Sequence, residues 1–277
     1  MEHVSAGDAT VPALGLGTFQ MDERECREAV RTALDLGYRH VDTAEYYENE
    51  AAVGDAIAAS PVDRDDVFVT TKVWRSNLRA DDVRRAARAG LDRLGFDTVD
   101  LLLIHWPHPR VPVEETLGAM ADLRADGLVR HLGVSNFTRR QLADARTAVD
   151  VPIVTDQVEY HPYKDQRELQ QYCTENGLAL TAYSPLAQGD VLDDEVLASI
   201  GDRYDKHPAQ VALRWLVQQE QVVAIPKARG RDHLETNLAV FDFELSPAEM
   251  DRIHELTGSL GRRLRNRLTG IVRSFPL

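Results

Sequence analysis

Apolar residues along this chain alternate between two rhythms. Between residues 23 and 36, Cys26, Ala29, Val30, Ala33 and Leu34 recur at helical spacing, and Gly37 ends the run. The next stretch, Tyr38-Arg39-His40-Val41-Asp42, has strand character and runs into Thr43-Ala44-Glu45-Tyr46-Tyr47-Glu48-Asn49-Glu50. The alternation then repeats. Helices are expected over 51–59, 81–94, 113–124, 139–149, 166–175, 194–200, 209–218, 232–240 and 247–256. Strands are expected over 67–73, 99–104, 129–134, 153–158, 178–182 and 222–225. Gly95, Gly127 and Gly177 stand where three of the helices should stop. Residues 99–104 are apolar nearly throughout, as a parallel strand covered by helices needs to be.

Two shorter pieces precede this alternation. Residues 4–12 place apolar segments on either side of Ala6-Gly7-Asp8, which predicts a small β-hairpin. Residues 13–19 read as a short strand with two glycines. Gly15-Leu16-Gly17-Thr18-Phe19-Gln20 lacks the third glycine and the strand–turn–helix setting of a dinucleotide fingerprint. Regular strand–helix repetition without a linker predicts one α/β domain over 1–277, a parallel sheet with right-handed crossovers. About eight β/α units favour closure into a (β/α)8 TIM barrel, with the hairpin across its bottom. The Arg-rich segment 258–277 forms a C-terminal extension, either loosely packed or folded over the top to shape a pocket.

The formal net charge of −13 argues against nucleic acid or an anionic membrane as partner. No apolar run approaches the roughly 20 residues of a membrane span, and the first residues do not read as a secretory signal. A cytoplasmic protein is therefore expected, and a monomer, since no feature demands a dimer. Cys26 and Cys173 read as unpaired thiols, and no His/Cys/Asp/Glu spacing suggests a metal site. Only Lys72, Lys164, Lys206 and Lys227 among the 32 basic residues are lysines. An Asp-rich, Lys-poor surface suggests tuning to high salt.

Catalytic groups of a parallel barrel gather at the C-terminal ends of its strands. Those positions hold Asp42 and Tyr47, Lys72 and Trp74, His105 and Trp106, Ser135 and Asn136, Gln157 and Glu159, Tyr183 and Ser184, and Lys227. Each alone has a structural explanation; together they are hard to explain as packing. A phenol has an ordinary pKa of about 10, and a neighbouring ammonium lowers it. Asp42 can hold Lys72 charged, Tyr47 can then give a proton to a developing alkoxide, and His105 can donate a second hydrogen bond to the same oxygen. Two donors on one carbonyl oxygen need a hydride source that no side chain supplies, which points to a nicotinamide cofactor. A metal hydrolase fits less well, because ligand spacing is lacking.

At these residues the chain resembles the aldo-keto reductase family. D-T-A-E-Y-Y-E-N-E, T-T-K-V-W, L-L-I-H-W-P, G-V-S-N-F, Q-V-E-Y-H-P, A-Y-S-P-L and I-P-K occur in the family's order over nearly the whole chain. The likeness is strongest to short microbial members similar to 2,5-diketo-gluconate or methylglyoxal reductases. It implies a catalytic tetrad of Asp42, Tyr47, Lys72 and His105, with Tyr47 as general acid. It implies carboxamide contacts from Ser135, Asn136 and Gln157, stacking by Tyr183, and pyrophosphate contacts at Ser184 and Leu186. Phe19, Trp74, His105 and Trp106 fall on the substrate pocket. Lys227, Ala228, Arg229, His233 and Asn237 fall on the adenosine end of the cofactor, with Lys227 at the 2′-phosphate. Here the chain departs from the family's K-S-x-x-x-x-R-x-x-E-N: Ala228 replaces the serine, His233 the arginine and Thr236 the glutamate. Arg229 and Arg231 are the residues that could compensate. NADP is the expected cofactor, with NAD kept open, and the substrate a small aldehyde, ketoaldehyde or diketo sugar. A slow-turnover regulatory or cofactor-binding subunit of the same fold is the alternative; an unrelated barrel lyase or isomerase is a more distant one.

Overall fold

The computed structural model describes residues 2–258, so the extension expected to cover the pocket lies almost entirely outside the described residues. Strands β1 (His3–Ala6) and β2 (Ala9–Pro12) form the predicted antiparallel hairpin. The remaining strands are β3 (Leu16–Gly17), β4 (His40–Asp42), β5 (Phe68–Val73), β6 (Val99–Ile104), β7 (Val129–Ser135), β8 (Ile153–Glu159), β9 (Ala179–Tyr183) and β10 (Val222–Ala224). They form one 8-stranded sheet in sequence order, every pairing parallel. The sheet closes on itself through a parallel bridge between Leu14 and Ala224, making the (β/α)8 barrel. The helices are α1 (Glu23–Leu36), α2 (Glu50–Ala58), α3 (Ala80–Leu94), α4 (Val113–Ala125), α5 (Arg139–Thr147), α6 (Arg167–Glu175), α7 (Glu195–Gly201), α8 (Pro208–Val217), α9 (Arg231–Leu238) and α10 (Pro247–His254).

Local chemistry sets many of the helix ends. Asp22 and Glu25 form a reciprocal capping box at the start of α1, and Ser246 and Glu249 do the same for α10. Gly37 takes the left-handed conformation (φ 101°) that ends α1. Helix α5 stops at Thr147, short of the expected 149, because the chain is about to turn through Asp150-Val151-Pro152, and a residue before proline avoids the helical region.

The strand expected over 13–19 contributes only Leu16 and Gly17 to the ladder, since this segment also makes the closing seam. There, Gly15 N donates to Ala224 O (2.9 Å) and Gly17 N to Pro226 O (3.1 Å). A Cβ on Gly17 would stand 2.8 Å from the Ile225 carbonyl oxygen, so a side chain would force the seam apart. The strand expected from residue 38 begins at His40 instead; Tyr38 is buried and donates its hydroxyl to Leu234 O (3.1 Å), tying α1 to α9.

Alternation along the strands divides the core. Leu102 and Ile104 join the layer between sheet and helices, whereas Leu101 and Leu103 pack with Val154, Ala179 and Val223 inside the barrel. Ala6, Ala9 and Val11 of the hairpin belong to this inner cluster and plug the bottom. Burying a Leu or Val side chain contributes about 1.5–3 kcal/mol, so apolar filling holds the lower barrel together. The upper barrel is filled by polar side chains, and the candidate site lies there.

Candidate active site

Asp42 ends β4 and Lys72 lies near the end of β5; both point into the barrel and are about 1% exposed. Lys72 Nζ meets Asp42 Oδ1 at 2.5 Å, donates to Thr43 O at 2.8 Å and reaches the Tyr47 hydroxyl at 3.2 Å. Those three partners use all three ammonium donors. Gln157, on β8, donates from Nε2 to the other oxygen of Asp42 at 2.6 Å. His105 follows β6, and its backbone N–H is held by Val73 O (3.1 Å). Its ring meets that of Tyr47 edge-on, with centroids 5.7 Å apart. The four residues expected to form a tetrad thus converge, although they come from three strand ends and a loop.

Electrostatics assigns them different states. Burial opposes the Lys72 ammonium, but the charges and hydrogen bonds of Asp42 and Tyr47 outweigh it, and the lysine's pKa is raised. The sequence alone suggested a lowered pKa for Tyr47. The structure reverses that: burial pushes the phenol up more than Lys72 pulls it down, so Tyr47 is held protonated above its ordinary value. Burial, followed by the Lys72 charge, depresses the His105 pKa to about 2, making it a neutral imidazole. Neither of its ring nitrogens has a hydrogen-bond partner among the described residues, and Nδ1 is fully buried.

A loop built for rigidity presents Tyr47. It sits in a 3-10 turn, Glu45–Tyr47. Glu45 accepts from the Trp74 backbone N–H (2.8 Å) and from Asn77 Nδ2 (2.6 Å), clamping this turn to the loop after β5. Asn49, also buried, accepts from Thr43 Oγ1 (2.8 Å) and donates to Thr18 O (2.9 Å) and Met21 O (3.2 Å). Glu50 lies behind Lys72, where it meets Arg93 and Thr71 Oγ1, both at 2.5 Å. Residue types did not disclose these supporting roles.

Aromatic side chains wall the mouth. Phe19 packs on Tyr47 (5.0 Å between centroids), and Trp74 meets His105 edge-on at 5.0 Å. Trp106 is 39% exposed at the rim. Tyr46, which sequence reasoning passed over, stacks on Trp74 with centroids 4.1 Å apart and is 54% exposed. The doublet Tyr46-Tyr47 was the available sign: one phenol is half-buried and the other exposed, so they present different sides of one turn.

Residues expected to hold the cofactor line the opposite side. Ser135 donates to Gln157 O (2.7 Å), while Asn136 donates to His105 O and Ser135 Oγ (both 3.0 Å) and accepts from the Tyr183 hydroxyl (2.9 Å). Both amide donors of Asn136 are therefore engaged, while its Oδ1 can accept one more hydrogen bond. Gln157 has more room: its Oε1 has no partner among the described residues. An amide oxygen open to the cleft beside a tyrosine ring fits a nicotinamide carboxamide. After β9 the chain passes through left-handed conformations at Ser184, Ala187 and Gln188, with Leu186 half-buried between them. At the seam, Lys227 and Arg229 are exposed cations, Ala228 between them is buried, and His233 is exposed on α9. Asn237 is buried on α9 and hydrogen-bonded to Tyr38, a contact that also packs α9 on α1.

The sequence pattern of the Aldo/keto reductase family matches residues 13–257. The chain belongs to that family and is an NAD(P)H-dependent oxidoreductase. It is 41% identical to methylglyoxal reductase DkgB of Escherichia coli O157:H7, over 89% of this chain and 93% of that protein. It is also 41% identical to glyoxal reductase of Bacillus subtilis (strain 168), over 89% of this chain and 89% of that one. A solved structure provisionally identified as a 2,5-diketo-D-gluconic acid reductase B superposes with a TM-score of 0.91 at 48% identity, covering 92% of this chain and 91% of the other.

Proposed function

We propose that this chain reduces small aldehydes and ketones, of the dicarbonyl or keto-sugar kind, to alcohols, with NADPH as the preferred reductant and Tyr47 as general acid. The observation that carries this reading is the chain Asp42–Lys72–Tyr47, with contacts of 2.5 and 3.2 Å, facing the neutral His105. A bound nicotinamide nucleotide supplies the hydride. The protein does the rest. The aromatic wall of Phe19, Trp74, Tyr46 and Trp106 receives the substrate. His105, as a neutral imidazole, has one N–H to donate to the carbonyl oxygen and does not bring a competing charge. As negative charge grows on that oxygen, Tyr47 transfers its proton, and the resulting phenolate is stabilised by the Lys72 ammonium 3.2 Å away. Asp42 keeps Lys72 charged throughout, and Gln157, which holds Asp42, has a free Oε1 that would accept from the nicotinamide carboxamide.

Relatives named for methylglyoxal and glyoxal support the choice of small dicarbonyls. The open mouth and aromatic rim suit such compact, polarised carbonyls. The test is loss of nicotinamide absorbance with methylglyoxal and either NADPH or NADH. Turnover that is faster with NADPH and abolished by Tyr47→Phe is the expected result. Nucleotide binding without turnover on any dicarbonyl or keto sugar would overturn the reading in favour of a binding subunit.

A further inference from the structure

Barrel closure brings two distant parts of the chain together at the adenosine end. Thr18–Met21 is a tight turn, with Met21 N donating to Thr18 O at 3.2 Å. Its two end carbonyls are both held by the buried Asn49, so the turn is fixed in place. Gln20 stands at its tip with a left-handed backbone (φ 58°). Two cations from the other side of the seam converge on this one residue. Lys227 Nζ reaches Gln20 Oε1 at 3.4 Å, and Arg229 Nη2 donates to Gln20 O at 2.8 Å. Among the described residues no carboxylate forms an ion pair with Lys227. Arg229 has one, loose, to Glu25 at 3.4 Å. Arg231 is engaged elsewhere, with Glu235 at 3.0 Å on its own helix.

We propose that Arg229 is the second phosphate ligand of this chain and the residue that makes it select a 2′-phosphorylated nucleotide, a role that Arg231 does not share. The inference rests on the nicotinamide-nucleotide reading above. A phosphate dianion needs more than one fixed cationic donor, and a guanidinium offers it a planar pair of N–H groups. The Gln20 carbonyl holds the Arg229 guanidinium beside Lys227 and leaves its other N–H groups available. With alanine at 228 and histidine at 233, Arg229 restores a donor that the local sequence otherwise lacks. Glu25 is the counterweight: its carboxylate occupies one edge of Arg229 and has to yield to the phosphate, so it weakens binding of the phosphorylated nucleotide.

Titrating tryptophan fluorescence with NADP+ and with NAD+ tests this without turnover. In Arg229→Ala, NADP+ affinity should fall about tenfold or more while NAD+ affinity holds, the size expected for losing one charge-assisted phosphate contact. Arg231→Ala should change neither. Glu25→Gln, which keeps a side chain at the helix cap, should tighten NADP+ by about two- to fivefold. The inference is overturned if Arg229→Ala weakens both nucleotides equally or neither, or if Arg231→Ala costs as much NADP+ selectivity; the nicotinamide reading survives those results. That reading itself falls, and the inference with it, if the wild-type protein binds neither nucleotide.

Discussion

The two ends of the cleft are built on opposite principles. At the carbonyl end, charged groups are buried and saturated: Lys72 spends its donors on Asp42, Thr43 and Tyr47, and Asp42 is held on both oxygens. At the end proposed for the adenosine, Lys227 and Arg229 stand exposed and share Gln20, with Glu25 loosely paired to Arg229. A buried charge is costly unless every partner is in place, so the first end tolerates little change. An exposed cation interacts weakly with its neighbours and can be moved or exchanged at small cost.

The contrast can be tested from its strongest expected effect downward. Tyr47→Phe removes the phenol proton donor that Lys72 supports, and turnover should fall by about 10²- to 10⁴-fold with nucleotide affinity unchanged. A fluorescence titration showing lost nucleotide binding would mean the loop, and not the proton, had been removed. Lys72→Met leaves Asp42 buried without its counter-ion and should destabilise the protein by about 3–5 kcal/mol, read from urea midpoints. A variant as stable as wild type would show that the carbonyl end is not electrostatically locked.

The pH response should separate activity from stability. Because Tyr47 is held above the ordinary phenol value, reduction should show no alkaline-limb loss of the proton donor from about pH 6 to pH 9. Stability behaves otherwise. His105 and His40 have folded pKa values of about 2 and about 4, lowered first by burial, while the unfolded chain titrates near 6.5. The unfolded state therefore binds protons first, and stability, complete above about pH 6.5, is lost as pH falls, by up to about 1.4 kcal/mol per unit for each histidine. Urea midpoints at pH 7 and pH 5 check this, and His105→Asn should reduce the difference. The smallest effect belongs to the exposed charges. If the acidic, Lys-poor surface is tuned to salt, added KCl should raise the melting temperature and activity; a protein indifferent to KCl would exclude that. Salt should in either case weaken NADP+ binding at the exposed seam more than it affects Lys72 and its partners.

Much was legible before any coordinates. Periodicity and glycine stops located the strands and helices to within a few residues, because each helix must bury one stripe and each covered strand must be apolar. The tetrad was legible for a related reason. In a parallel barrel a polar residue at a strand's C-terminal end has one place to go, so Asp42, Lys72 and His105 could be assigned to a single cleft from linear order alone. Tyr47 was legible as a donor but not in its titration state, since whether burial or a neighbouring ammonium wins depends on distances and solvent exclusion that no spacing encodes.

What linear order determined, then, is the alternation, the barrel it implies and the set of reactive groups at its mouth. Tertiary structure alone decided which contacts cross the seam. Gln20 meets Lys227 and Arg229 across more than 200 residues of chain, Asn49 pins the turn that presents Gln20, and Asn237 turns inward to Tyr38. These are pairings between segments whose local sequences carry no mark of one another. They exist because closing the barrel through Leu14 and Ala224 brings the first strand of the sheet beside the last.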